Sequence, residues 1–185
     1  MSRKTSGPRA KRVGERFRHF VKVNWPLFRI YLLFGLVLLA VFTVLMLPSV
    51  YWKVIMPLNE FLAWSSAELL SLMGTEGISS SGIAVSSPQF GINIAEGCNG
   101  IYALAIVIAG ILAFPARWPA KAVGLVLGII FIMFLNYVRI IALWYAGIYS
   151  SFLFETMHLY VWEFIIIVLG AGYWYFWYER FVKTR

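Results

Sequence analysis

The sequence predicts an all-α membrane protein with about four transmembrane helices and both ends in the cytoplasm, and three observations predict it. Hydrophobic residues make up 61% of the 185-residue chain and charged residues only 13%, against about half and about a quarter in a soluble domain. The apolar residues gather into runs of the length that crosses a hydrocarbon layer about 30 Å thick. The basic residues fall in segments that a four-span topology puts on one side. A net charge of +8 would also suit nucleic acid. However, Arg3, Lys4, Arg9, Lys11, Arg12, Arg16, Arg18, Lys22 and Arg29 crowd the beginning of the chain. That placement reads as an anchor beside anionic membrane lipid, with no nucleic-acid partner.

Residues 1–24 are basic and poor in aliphatics, which predicts a mostly disordered cytoplasmic tail. Residues 25–185 form a single polytopic membrane domain, with no internal repeat and no linker. Trp25 and Pro26 stand where an interfacial residue and a helix-starting proline belong, and the first span runs over 27–47. Its apolar core is too long for a signal peptide and no small-x-small site follows it. Residues 51–73 carry Lys53, Asn59, Glu60 and Glu68 among apolar residues. Leu58, Phe61, Leu62, Leu69 and Leu72 can share a face, which predicts an amphipathic helix on the outer side. Residues 74–82 are Gly- and Ser-rich, hence a loop. Ile83 and Val85, then Phe90, Ile92 and Ile94, alternate around Ser87-Pro88 as a short β-hairpin does.

Three further spans follow, at 99–115, 120–148 and 158–178. With four spans, Arg117, Lys121, Arg180, Lys183 and Arg185 all fall in the cytoplasm. A fifth span over 51–73 would reverse them, against the positive-inside rule. This topology brings three reactive side chains to one level. Cys98 opens the second span and His158 the fourth, both on the outer side. Arg139 lies about nineteen residues up the third, roughly 28 Å at 1.5 Å per residue.

A lone cysteine in a membrane helix is ordinarily a packing residue, but Cys98 lies in the polar, glycine-flanked segment Glu96-Gly97-Cys98-Asn99-Gly100. A helix N-terminus there favours the nucleophilic thiolate. Arg139 sits among apolar neighbours, where a guanidinium costs several kcal/mol unless it finds a partner. It suits a fixed cation beside a thiolate or a donor to a developing oxyanion. Asn136, one turn away, is placed to hold Arg139 or a substrate carbonyl. His158 is the histidine outside the basic tail and a general acid/base by type, with Glu155 and Glu163 as groups to orient it. One cysteine, two histidines and no aspartate argue against a disulfide or a metal centre, and no cofactor is expected.

At these residues the chain resembles the exosortase/archaeosortase family of membrane transpeptidases. The resemblance rests on Glu96-Gly97-Cys98-Asn99-Gly100 opening one helix, Asn136-Tyr137-Val138-Arg139-Ile140 late in the next, and His158 opening the last. It spans about residues 90–180, and the short chain looks like the compact, H-type exosortases associated with an IPTL-like signal. The resemblance implies a cysteine endopeptidase and transpeptidase of the bacterial inner membrane, with its site facing the periplasm. Its partners would be secreted proteins ending in a motif, a hydrophobic helix and a basic tail, and a nucleophilic acceptor for the new C-terminus. The hairpin before Cys98 is placed to pair with an extended motif. Two other readings of the polar trio are a non-enzymatic membrane assembly subunit and a small transporter using Arg139 as a counter-charge.

Overall fold

The computed structural model describes residues 8–95 and 97–183, with side chains from residue 21 onward. Helix α1 runs from Pro8 to Leu45, so residues 8–24 are helical rather than a disordered tail. Their Arg and Lys are good helix formers. Pro26 lies inside the helix, where it forgoes one backbone hydrogen bond without ending it. A short turn of helix, α2 (Pro48–Val50), leads through a π-helical turn (Tyr51–Ile55) into α3 (Met56–Leu72).

The buried face of α3 is Asn59, Leu62, Ala63, Ser66, Ala67 and Leu70, not the leucine-and-phenylalanine face the sequence suggested. Of that predicted face only Leu62 is buried, while Leu72 is 84% exposed. Small and polar side chains let helix backbones approach closely in a membrane protein, and the bulky apolar ones are left to face outward. Ser65 Oγ shares a 2.7 Å hydrogen bond with Tyr137 OH, which ties α3 to the next long helix.

Between α3 and the following helix lies a three-stranded antiparallel sheet, β1 (Ser79–Ser81), β2 (Ala84–Ser86) and β3 (Gly91–Asn93). The expected hairpin is β2–β3, with Val85 opposite Ile92. Ser79–Ser81, expected as loop, adds a third strand through Gly82, whose φ of 56° suits a tight turn. Val85 and Ile94 bury their side chains against Leu62, Ala63, Ala67 and Leu70 of α3 and against Ile140 and Trp144.

Helix α4 (Ile101–Ala113) is followed by α5 (Trp118–Tyr149), α6 (Ser151–Thr156), a π-helical turn (Met157–Val161) and α7 (Trp162–Trp177). Three helices among the described residues are long and apolar enough to cross a membrane: Val21–Leu45, Trp118–Tyr149 and Ser151–Lys183. The chain is thus a multi-pass membrane protein. The predicted span 99–115 is the shorter apolar helix α4, of 13 residues, or about 20 Å. It is packed by α1, α5 and α7, which shield it from its surroundings.

The helices alternate in direction. Phe42 near the end of α1 meets Tyr102 at the start of α4, their rings 5.5 Å apart. Phe114 at the end of α4 packs on Trp174, Trp177 and Tyr178 at the end of α7. Arg117, Lys121, Arg180 and Lys183 therefore cluster at one end of the bundle, and Cys98 and the sheet lie at the other.

Candidate active site

Cys98 sits in a turn just before α4. Gly97 and Gly100 hold φ of 87° and 75°, the left-handed region that a side chain disfavours. Cys98 N–H donates to the Ala95 carbonyl at 3.0 Å. Asn99 fixes the other side of the turn: its Oδ1 accepts from Ile101 N–H at 3.1 Å, and its Nδ2 donates to Asn59 Oδ1 at 3.0 Å. Asn136 lies beneath, so that a Cβ at Gly100 would come within 3.1 Å of Asn136 Cγ. Asn136 is buried and neither of its amide atoms has a protein partner. Its contact is with the cysteine turn, and it makes no hydrogen bond to Arg139.

His158 reaches this turn from across the bundle, with Nε2 2.9 Å from Cys98 Sγ. It does not open a helix, as the sequence suggested, but lies in the π-helical turn between α6 and α7. Such a turn widens the helix and shifts the direction of its side chains. The imidazole stacks on Phe154, centroids 5.5 Å apart and planes 29° from parallel. Phe154 meets Phe90 edge-on, and Phe90 meets Trp144 in the same way. Phe90 fits there because residue 147 is glycine, for any Cβ at Gly147 would collide with the Phe90 ring.

Arg139, 3% exposed, lies beneath this pair. Its Nη2 donates to the His158 carbonyl at 3.4 Å and to Glu163 Oε1 at 3.2 Å. Glu163 thus pairs with Arg139 rather than with the imidazole, and the buried cation gains the partner it needs. Arg139 Nε is buried without a protein partner. Glu155 lies on the rim of the cleft with Ser151. Glu96 falls outside the described residues.

The cysteine–histidine pair opens into a cavity of about 310 Å³ walled by β3, by Ile140 and Leu143 of α5, and by Phe154. Burial pushes the Cys98 thiol above its ordinary pKa; the Arg139 charge opposes this and Glu163 adds to it. The helix begins at Ile101, three residues after Cys98, and the Asn99 side chain already occupies the Ile101 N–H. His158 is within hydrogen-bonding distance of the sulfur and can serve as its base.

Reading the sequence alone misses Asn59, Phe90 and Phe154. Asn59 carries a usable signal, since Asn59, Ala63, Ser66 and Ala67 form a small and polar stripe at helical spacing. Phe90 and Phe154 carry none, because aromatic residues are common along the whole chain.

Residues 23–175 match the family described as Transmembrane exosortase (Exosortase_EpsH). Neither a curated protein nor a solved structure matches the chain.

Proposed function

The chain belongs to the transmembrane exosortase family and so is a membrane sorting enzyme of that general type, and we propose that it is a cysteine peptidase and transpeptidase whose machinery is Cys98, His158 and Arg139. The observation that carries this reading is the 2.9 Å contact between Cys98 Sγ and His158 Nε2 at the mouth of a cleft.

In the proposed reaction His158 Nε2 takes the thiol proton as Cys98 Sγ attacks the scissile carbonyl. The carbonyl oxygen gains the negative charge, and the nearby Arg139 cation stabilises it. Collapse breaks the C–N bond, the proton on Nε2 passes to the leaving amine, and the substrate's new carboxyl end stays on Cys98 as a thioester. His158 then takes a proton from an incoming amine, hydroxyl or water. That nucleophile attacks the thioester, the C–S bond breaks, and the sulfur recovers its proton from His158. Arg139 also positions the base, because it grips the carbonyl of His158 while Glu163 steadies its charge.

The substrates are secreted proteins that end in a short motif, a hydrophobic helix and a basic tail. The cytoplasmic membrane is the site, with the cleft on its outer face. Clustering of Arg117, Lys121, Arg180 and Lys183 at the end opposite Cys98 supports that orientation. The test is mass spectrometry of such proteins' C-termini from cells carrying either the wild-type enzyme or Cys98→Ala. Full-length, unprocessed termini in the variant are expected. Wild-type processing by Cys98→Ala would overturn the reading.

A further inference from the structure

The sheet ends on an open edge that borders the reactive pair. Strand order is β1-β2-β3, so β2 covers one side of β3 and no strand covers the other among the described residues. The hydrogen bonds fix which groups point where. Ile94 N–H donates to Ile83 O, and Ser87 N–H to Phe90 O, both at 2.8 Å. Val85 stands opposite Ile92 between them. In an antiparallel ladder, hydrogen-bonded and non-hydrogen-bonded pairs alternate. The main chain of residues 90, 92 and 94 therefore faces β2. The N–H and C=O of Gly91 and Asn93 face the other way.

An exposed strand edge is usually blunted by charge, proline or a covering segment. Gly91–Asn93 carries neither a charge nor a proline, and no strand covers it among the described residues. Gly91, Ile92, Asn93 and Ile94 all line the cavity that holds Cys98 and His158, as do Ile140 and Leu143. Ile94, Ile140 and Leu143 are buried, so the floor of the cavity is apolar.

We infer that the free edge of β3 is the substrate-binding edge: Gly91 and Asn93 pair through their main chains with an extended peptide, one apolar side chain of which enters the floor formed by Ile94, Ile140 and Leu143. The inference rests on the peptidase reading and deepens it. Pairing of this kind reads an extended backbone irrespective of sequence, and the apolar floor selects the side chain. It also holds the scissile carbonyl at a fixed height beside Cys98, because β3 leads into the cysteine turn within five residues of Asn93.

The experiment uses the full-length enzyme in membranes and the probe acetyl-Leu-Ala-Leu chloromethyl ketone, which alkylates a thiol with loss of chloride. Iodoacetamide serves as the reference, since it reports the thiol without any need for peptide binding. The quantity read is the ratio of the two alkylation rates at Cys98. Asn93→Ala keeps the main chain and separates loss of the side chain from loss of the N–H, so its ratio should fall less than that of Asn93→Pro. Asn93→Pro removes an edge N–H but no bond to β2, and should lower the ratio roughly tenfold, the worth of about one hydrogen bond with its partner left unpaired. Gly91→Pro should act in the same way, and methylating the probe's amide nitrogens one at a time should reproduce the loss with an unaltered enzyme. An unchanged ratio in both proline variants and with every methylated probe would overturn the inference. So would a loss in Asn93→Ala as large as in Asn93→Pro. Failure of the peptidase reading looks different: C-terminal processing in cells persists in Cys98→Ala, whatever the ratio.

Discussion

At the end of the bundle that carries the basic residues, polar side chains are tied down. Tyr173 OH donates to the Gly124 carbonyl, Trp177 Nε1 to the Ala120 carbonyl at 2.8 Å, and Lys121 Nζ to the Leu112 carbonyl at 2.7 Å. Among the described residues, only Trp174 Nε1 is buried there without a protein partner. At the cleft end, Ser66 Oγ, both amide atoms of Asn136, Arg139 Nε, Trp144 Nε1 and Trp162 Nε1 are buried without one. The two ends use similar residue types in opposite ways. One end spends its donors on the last carbonyls and first turns of its own helices, which locks the bundle. At the other, Asn59 and Asn99 are paired, while Asn136 and Arg139 keep buried polar atoms without a protein partner next to the cysteine turn and His158.

The comparison is broken most sharply by substitutions at the reactive pair. Cys98→Ala or His158→Ala should lower C-terminal processing by roughly a thousandfold or more, with the protein still abundant in membranes. Processing that survives either change would leave the cleft as a packing feature of an assembly subunit. Arg139→Lys is next, at roughly a hundredfold, because the shorter ammonium side chain does not reach the point from which Nη2 contacts both the His158 carbonyl and Glu163. A processing rate within a few-fold of wild type would remove Arg139 from the mechanism.

The locked end should respond in the other currency, stability. A Cβ at Gly124 would collide with the Trp177 ring, so Gly124→Ala should cost on the order of 1–3 kcal/mol through overpacking. Thermal denaturation in detergent should show a lower midpoint, while activity per folded molecule stays near wild type. The smallest expected effect is electrostatic. Because burial raises the Cys98 pKa, iodoacetamide alkylation should climb with pH through a midpoint above that of an ordinary exposed thiol. Arg139 favours the thiolate and Glu163 opposes it. Arg139→Ala should therefore move the midpoint up and Glu163→Gln should move it down. Shifts of the opposite sign would refute this picture of the site's charges.

Much of this was legible in the residues. Hydropathy and charge bias put Cys98, Arg139 and His158 at one level, and the 83–94 alternation announced the β2–β3 hairpin. The third strand was hidden because Ser79–Ser81 has no apolar side chain to show a period of two. The packed face of α3 was misread because large apolar residues signal a core in water, whereas in lipid they also cover the outside. The pairing of Glu163 with Arg139, rather than with His158, follows from how α5 and α7 cross, which spacing within one helix does not encode. The helix N-terminus invoked for Cys98 lies further along than the sequence suggested, since α4 starts at Ile101, three residues after the cysteine.

The most direct test of Cys98 as the nucleophile is to look for its acyl intermediate. Membranes containing the enzyme and a secreted protein with a motif-helix-basic tail are quenched in acid, and the Cys98 peptide is examined by mass spectrometry. The account predicts a substrate fragment joined to Cys98 through a bond that hydroxylamine cleaves, absent from Cys98→Ala. Continued cleavage with no such adduct, or an adduct on another residue, would contradict it.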